Sequence, residues 1–387
     1  MIASSASPAR TRAVTIVAHD IGPVGGMELV LSQLVRGLAA RGEGVTVISR
    51  TCTIDDCVGI RMHRVRGPRR PFVVAYPWFA LASAVVLARH RRGIVHATGA
   101  IVLRRVDVVS VHLLHHAPVV RGGAPRASRQ SPLFRVHARL AAWMSRVAER
   151  WAYRPGRARV FVAVSGGGAA ELRELFPALG DRVVEIPNGV DTEEFRPDAQ
   201  ARAARTQLGL PSEGLVALFV GSEWRRKGLG LAVEALAQAP DWHLAVVGGG
   251  DRHAYAGLAG ELGVSSRVHF FGVSERVADF YRAADAFLLP TLYETFSLAT
   301  YEAAASGLPL VVTGVSGIRD LVEDGANGFL IEPDAAEIAD RLRALAADPD
   351  RRVAMGTAAR AASLAFSWNL TIERHEALYG ELRDGRR

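Results

Sequence analysis

A chain of 387 residues with 49% apolar and 22% charged side chains holds enough material for two packed cores, since a domain takes roughly 100–200 residues. Its aliphatic content excludes a disordered chain, and glycine without a fixed period excludes a fibrous one. The net charge of +8 is unevenly spread: residues 1–195 carry 27 Lys and Arg against 14 Asp and Glu, whereas residues 196–387 carry 20 against 25.

Arginines are dense at Arg61, Arg64, Arg66, Arg69 and Arg70, at Arg89, Arg91 and Arg92, and again from Arg121 to Arg159. Such a basic half suits an anionic membrane surface, an anionic acceptor or nucleic acid. Lys227 is the only lysine, so a coding bias toward arginine is an alternative, one that explains the choice of cation but not the asymmetry. Two cysteines, Cys52 and Cys57, cannot form a disulfide framework, and a lone C-x₄-C lacks two ligands of a structural zinc site. A reducing, cytoplasmic setting is expected.

In chain order, residues 1–12 are Ser/Ala-rich and lead straight into a β-like run. They lack the apolar region of a signal peptide and read as a short disordered tail. Strands are expected at 14–18, 45–49, 94–97, 106–111 and 160–164, with helices at 28–40, 77–88 and 132–151. Residues 72–88 are uncharged but fall short of the about 20 apolar residues that span a bilayer. Pro77 sits at a helix-start position, so a buried helix feeding the next strand is expected.

The second half repeats this grammar, with strands at 215–221, 244–248, 268–272, 286–290, 309–313 and 329–331. Helices fit 229–239, 255–262, 275–284, 298–306 and 336–347. Alternating strands and helices predict an α/β chain of two doubly wound parallel sheets, with the best linker candidate at 198–211. Ligands bind at the carboxyl ends of such strands, so the cleft between the domains is the natural site.

Three loops there carry candidate chemistry. The first, His19 to Gly26, ends in Gly25-Gly26 before a helix; it is either an anion-binding helix N-terminus or a plain βα turn. The second, Gly221-Ser222-Glu223-Trp224-Arg225-Arg226-Lys227-Gly228, places three cations at a strand end beside a helix start, a site for a diphosphate unless it is a solvated charge run. The third holds Glu294-Thr295-Phe296-Ser297-Leu298 and then Glu302. Eight residues separate its carboxylates, roughly 12 Å at helical rise, which suits two ends of one ligand rather than an acid/base pair. Acidic side chains accepting from sugar hydroxyls fit that role.

On these residues, in this order and spacing, the chain resembles the retaining glycosyltransferases of family 4, with the GT-B architecture of two Rossmann-like domains facing a cleft. The resemblance runs from Gly25-Gly26 through Val164-Ser165, Pro187-Asn188-Gly189-Val190-Asp191, Arg226-Lys227-Gly228 and Glu294 to Glu302, to Phe366-Ser367-Trp368. It implies an acceptor-binding domain at 1–195 and a donor-binding domain at 196–365. A terminal helix, about 366–387, would cross back to the first domain.

Residue by residue, the resemblance implies that Glu294 contacts the donor hexose, Glu302 the ribose, and Arg226 with Lys227 the diphosphate. The backbone amides of Phe296, Ser297 and Leu298 would add to the phosphate contact, with Gly25, Gly26 and Gly221 also on the donor. His112, at a strand end, matches a histidine facing the transferred sugar. Many relatives have Arg at the place of Ser222 and Gly at that of Ser297.

The activity so implied is hexosyl transfer with retention, from a UDP- or GDP-linked sugar to a glycan or glycolipid, without a metal or other cofactor. The leaving phosphate would take the acceptor proton on the same face, the diphosphate charge being met by preorganised cations and helix-terminal amides. The only D-x-D, Asp348-Pro349-Asp350, falls in an expected surface turn, away from the cleft. A nucleotide-sugar epimerase of the same architecture and a catalytically silent membrane-binding subunit are the alternatives. A pyridoxal-dependent phosphorylase needs a Schiff-base lysine, which Lys227 in the phosphate loop does not supply. No nucleic-acid motif is present. A cytoplasmic protein, peripheral on an anionic membrane face, is expected.

Overall fold

The computed structural model describes residues 12–23, 25–54, 59–116, 132–198 and 201–387. The expected tail up to residue 11, Cys57, and the arginines Arg121, Arg126 and Arg129 lie outside the described residues.

Short β-branched runs buried on both faces leave their backbone groups no partner except a neighbouring strand, and they collect into two parallel sheets. The first half runs β1 (Ala13–Val17), β2 (Asp20–Ile21), α1 (Gly26–Ala40), β3 (Gly44–Ser49), β4 (Thr51–Cys52), β5 (Arg61–Arg64), α2 (Phe72–His90) and β6 (Ile94–Thr98). It continues with β7 (Val108–Val111), α3 (Pro132–Ala152), β8 (Val160–Ala163), α4 (Gly166–Leu175) and β9 (Val183–Glu185). Seven of these strands form one sheet in the order β5-β3-β1-β6-β7-β8-β9. The order reverses between β1 and β6, where Val14 faces Ile94.

The second half runs β10 (Leu215–Val220), α5 (Leu229–Leu236), β11 (Trp242–Val247), α6 (Arg252–Glu261), β12 (Val268–Gly272), α7 (Val277–Ala283) and β13 (Ala286–Leu289). It closes with α8 (Leu298–Ala305), β14 (Leu310–Thr313), β15 (Gly328–Ile331), α9 (Ala335–Ala347), α10 (Pro349–Ser363) and α11 (Trp368–Arg383). Its sheet order is β12-β11-β10-β13-β14-β15, with the reversal between β10 and β13. At such a reversal neighbouring loops part to opposite faces and leave a crevice at the strands' carboxyl ends. The loops after β10 and β13 carry the second and third motifs, so the topology sets them side by side.

Helix α11 returns to the first sheet. Ile372, Leu378, Tyr379 and Leu382 join the core formed by Val14, Leu31 and their neighbours. Arg41 bonds Glu376 at 2.9 Å, and Arg383 holds the buried Glu43 at 2.6 Å.

Two expectations need correction. Residues 72–90 form a single helix with Pro77 inside it. Pro71 precedes its first turn, so the start lies five residues before the expected one. Nor is the helix buried: Ala75, Phe79, Ala80, Ser83 and Leu87 face inward, while Val74, Trp78, Leu81 and Val85 face solvent. The stretch expected as a linker is docked structure. Residues Ala201–Leu208 form a 3₁₀ helix, and Arg205, 1% exposed, bonds the carbonyls of Ala283 and Gly214 and the carboxylate of Asp285.

Candidate active site in the cleft between the sheets

The loop after β10 is shaped by an indole. Trp224 is buried, packs edge-on to Tyr255, and donates from Nε1 to the Gly221 carbonyl at 2.9 Å. This folds the charged run back on its own strand. Glycine is required at the helix entry: Gly228 has φ +78°, and a Cβ there would lie 1.9 Å from the Pro290 carbonyl oxygen. The same crossing fixes the loop after β13, because Leu292 donates its N–H to the Arg226 carbonyl at 2.8 Å and Arg226 Nη1 donates to the Tyr293 carbonyl at 2.5 Å.

Glu294 therefore arrives between two cations. Its Oε1 lies 2.9 Å from Lys227 Nζ and 3.1 Å from Arg226 Nη1. Burial would raise its pKa, but Lys227 and Arg226 more than offset this and hold it below the usual carboxylate value. Arg226 is held on its other edge by Glu223, whose Oε2 accepts from Nε at 3.0 Å and from Nη2 at 2.7 Å. Arg225 and Ser222 point to solvent, whereas Arg226 is half-buried; Arg226 is thus the arginine that faces the cleft.

Ser297 has φ +72°, a left-handed conformation that costs a non-glycine residue about 1–2 kcal/mol. Its hydroxyl is held by Thr300 Oγ1 at 2.8 Å, so the serine keeps the turn for which glycine is suited. Among the described residues the two non-glycines with positive φ are Ser297 and Glu223, one in each cleft loop, a clustering characteristic of functional sites. Phe296 is buried and stacks on Tyr301 with centroids 4.0 Å apart. Its ring is core, leaving only its backbone to a ligand.

Glu302, one turn into α8, accepts from Tyr281 Oη at 2.9 Å. Burial raises its pKa to about 7, against the smaller opposing effect of that hydrogen bond. The carboxyl is therefore uncharged in a large fraction of molecules at neutral pH until a donor pair or a cation meets it.

The first domain contributes from the opposite wall. Gly25, with φ +99°, caps α1, and a Cβ on Gly26 would sit 3.8 Å from Leu298 Cδ1. The N-termini of α1 and α8 thus converge, two partly positive dipole ends aimed at one space. His112 follows β7, and its carbonyl accepts from Thr295 Oγ1 at 2.6 Å. Burial, with His375 nearby, lowers its pKa to about 4, so it is a neutral imidazole that can donate or accept a hydrogen bond. Ser165 Oγ donates to the Thr295 carbonyl at 2.6 Å, and Tyr293 Oη donates to Glu171 at 3.2 Å.

The structure thus brings Gly25, Gly26, Gly221, Arg226, Lys227, Glu294, Ser297, Leu298 and Glu302 to the facing loops of one cleft, turns the Phe296 ring into the core, and sets the His112 side chain in a recess beside Ser110, Asn188, Trp368 and His375, with only its carbonyl shown against a cleft loop. Trp224, Tyr281, Tyr293 and Thr295 are contributors that sequence reasoning missed. An aromatic inside a charged run was the available signal for Trp224, and nothing in the sequence marks Tyr281. Asp348 of the D-x-D caps α10 by accepting from the Arg351 N–H at 2.9 Å. Among the described residues no three His, Cys, Asp or Glu side chains cluster in a metal-binding arrangement.

Two Rossmann-like domains closed over a cleft, with the last helix returned to the first domain, are the GT-B architecture, and the family follows from the sequence. The profile of glycosyltransferase family 4 matches residues 24–194, and that of glycosyl transferases group 1 matches residues 200–362. The chain belongs to the group 1 glycosyltransferases. It is 33% identical to the D-inositol 3-phosphate glycosyltransferase of Xylanimonas cellulosilytica, over 90% of this chain and 89% of that one. The same fold is found in WaaG, a glycosyltransferase involved in lipopolysaccharide biosynthesis, with a TM-score of 0.80, 22% identity and coverage of 95% of this chain and 99% of WaaG. HepE of Anabaena, in complex with UDP and glucose, matches with a TM-score of 0.72 and 21% identity, over 95% of this chain and all of the other.

Proposed function

We propose that this glycosyltransferase moves a hexosyl unit from a UDP-linked sugar to an acceptor hydroxyl, with retention of anomeric configuration and without a metal ion. The observation that carries this reading is the placement of Arg226 and Lys227 on one buried carboxylate, Glu294, where the N-termini of α1 and α8 converge. A diphosphate entering the cleft takes over both cations. Glu294, released from them, is free to accept from hydroxyls of the hexose. Glu302, already held by Tyr281, accepts from the ribose hydroxyls.

As the anomeric C–O bond breaks, charge grows on the leaving diphosphate and is met by two cations and helix-terminal N–H groups already in position. The acceptor oxygen bonds to the anomeric carbon on the face the diphosphate leaves, and its proton passes to a leaving phosphate oxygen. His112, neutral and held by its own backbone, orients the transferred sugar rather than carrying charge. The choice of UDP rests on the HepE complex with UDP and glucose, and a phosphorylated cyclitol is a second acceptor reading, resting on the likeness to the D-inositol 3-phosphate glycosyltransferase of Xylanimonas cellulosilytica.

The test incubates the chain with UDP-, GDP- and ADP-linked hexoses in EDTA and follows nucleoside diphosphate release, with the anomeric proton of the product read by NMR. UDP release in EDTA with an α-linked product from an α-linked donor is expected. A strict need for a divalent cation, or an inverted product, would refute the mechanism.

A further inference from the structure

Helix α2 is uncharged from residue 72 to 88 and has the length and composition of a membrane-crossing helix, yet its inner face is committed to the first core. Its outer face is also apolar. Val74, Trp78, Leu81 and Val85 recur at i, i+4, i+7 and i+11 and are 49%, 51%, 59% and 52% exposed. Helix α3 packs against α2 and repeats the spacing: Val136, Leu140, Trp143 and Val147 are 63%, 44%, 57% and 46% exposed. Exposed Arg139, Arg146 and Arg150 run beside that stripe.

Charge identifies the occupant. Within residues 59–116 and 132–152 the acids are Asp107 and Glu149. Asp107 pairs with Arg91, and Glu149 is buried against His115 and His116. At the end of α2 a surface recess of about 320 Å³ is lined by Leu87, Ala88, Arg91, Arg104 and Arg105, an apolar floor with three guanidinium groups. A second copy of the chain would set one arginine row against another, whereas a layer of lipid phosphates complements it.

We propose that the α2–α3 face docks in the plane of an anionic bilayer, with Trp78 and Trp143 in the headgroup–acyl boundary and the flanking arginines on phosphates. The helix lies on the membrane rather than across it, because its other side is packed in protein. The face is also tied to the cleft. Glu149 of α3 accepts from the His115 N–H at 2.7 Å, from His115 Nδ1 at 2.8 Å and from His116 Nδ1 at 2.7 Å. These residues follow His112 by three and four positions, so the docked helix is joined to the first domain's wall of the cleft and faces it toward membrane-borne acceptors.

The full chain is sedimented at low salt with phosphatidylcholine vesicles, with or without phosphatidylglycerol, beside Trp78→Ser/Trp143→Ser and Arg139→Ala/Arg146→Ala variants. Wild type is expected to bind the anionic vesicles at least about tenfold more tightly than the neutral ones. Loss of two arginines should weaken binding about 25-fold, at about fivefold per arginine. Bromine-labelled acyl chains should quench wild-type fluorescence and not that of the tryptophan variant. Unchanged melting and unchanged UDP-induced stabilisation show that each variant keeps its fold and donor site. Equal binding to both vesicles, absence of quenching in wild type, or a dimer abolished by the same substitutions would overturn the proposal.

Discussion

Burial lifts the Glu302 carboxyl from the usual carboxylate range to about 7, so it titrates near neutral pH. The sign is fixed by which form binds. With Glu302 proposed to accept from a ribose diol, the anion is the better acceptor, and donor affinity is expected to fall as pH drops through about 7. Stability has the opposite slope: the folded state keeps a proton the unfolded chain has lost, so the chain loses stability as pH rises from about 4.5 to 7. Glu302→Gln should melt higher than wild type at pH 8, match it below pH 4, and show donor binding that is weak and flat with pH. Melting curves and nucleotide titrations from pH 5 to 8 check both slopes; parallel pH profiles for variant and wild type would contradict the assignment.

At the scale of elements, the site depends on two loops that brace each other. Trp224 is the pin, filling the space against Gly250 and Tyr255. Trp224→Ala removes a buried ring worth about 3–5 kcal/mol and frees Gly221, so both stability and transfer rate should fall, although residue 224 points away from the cleft. Thermal melting and kinetic constants measure this, and an unchanged KM for donor would argue against a bracing role.

Much of this level was legible in the sequence. The βα alternation, the strand-end cations and the Glu294 to Glu302 stretch are local patterns, because strand burial and helix entry are dictated by neighbouring residues. What was not legible depended on distant partners. Pro77 reads as a helix start, yet tertiary packing of Ala75 and Phe79 carries the helix through it. The Ala-rich stretch at 201–208 looks like a linker because the partners of Arg205 lie up to 80 residues away. His112 has no local mark; β7 ends opposite Thr295, which bonds its carbonyl from 183 residues away.

For the whole molecule, the two domains meet through the site itself. Thr295 bonds both His112 and Ser165, and Asp320 accepts from the Gly166 N–H at 2.7 Å. Helix α11 adds a second tie, with Thr371 donating to the Pro187 carbonyl at 2.9 Å. The basic first half and the arginine-lined α2–α3 face then lie on the domain expected to meet the acceptor.

Arg226, Lys227, Glu294 and Glu302 are proposed to form one nucleoside-diphosphate site. Calorimetric titration of the full chain with UDP in EDTA, for wild type and Lys227→Ala, tests it most directly. Wild type is expected to bind UDP, and the variant to lose at least about tenfold in affinity, since a charge-assisted contact is worth roughly 1.5–3 kcal/mol. Equal UDP affinity in the two proteins would contradict it.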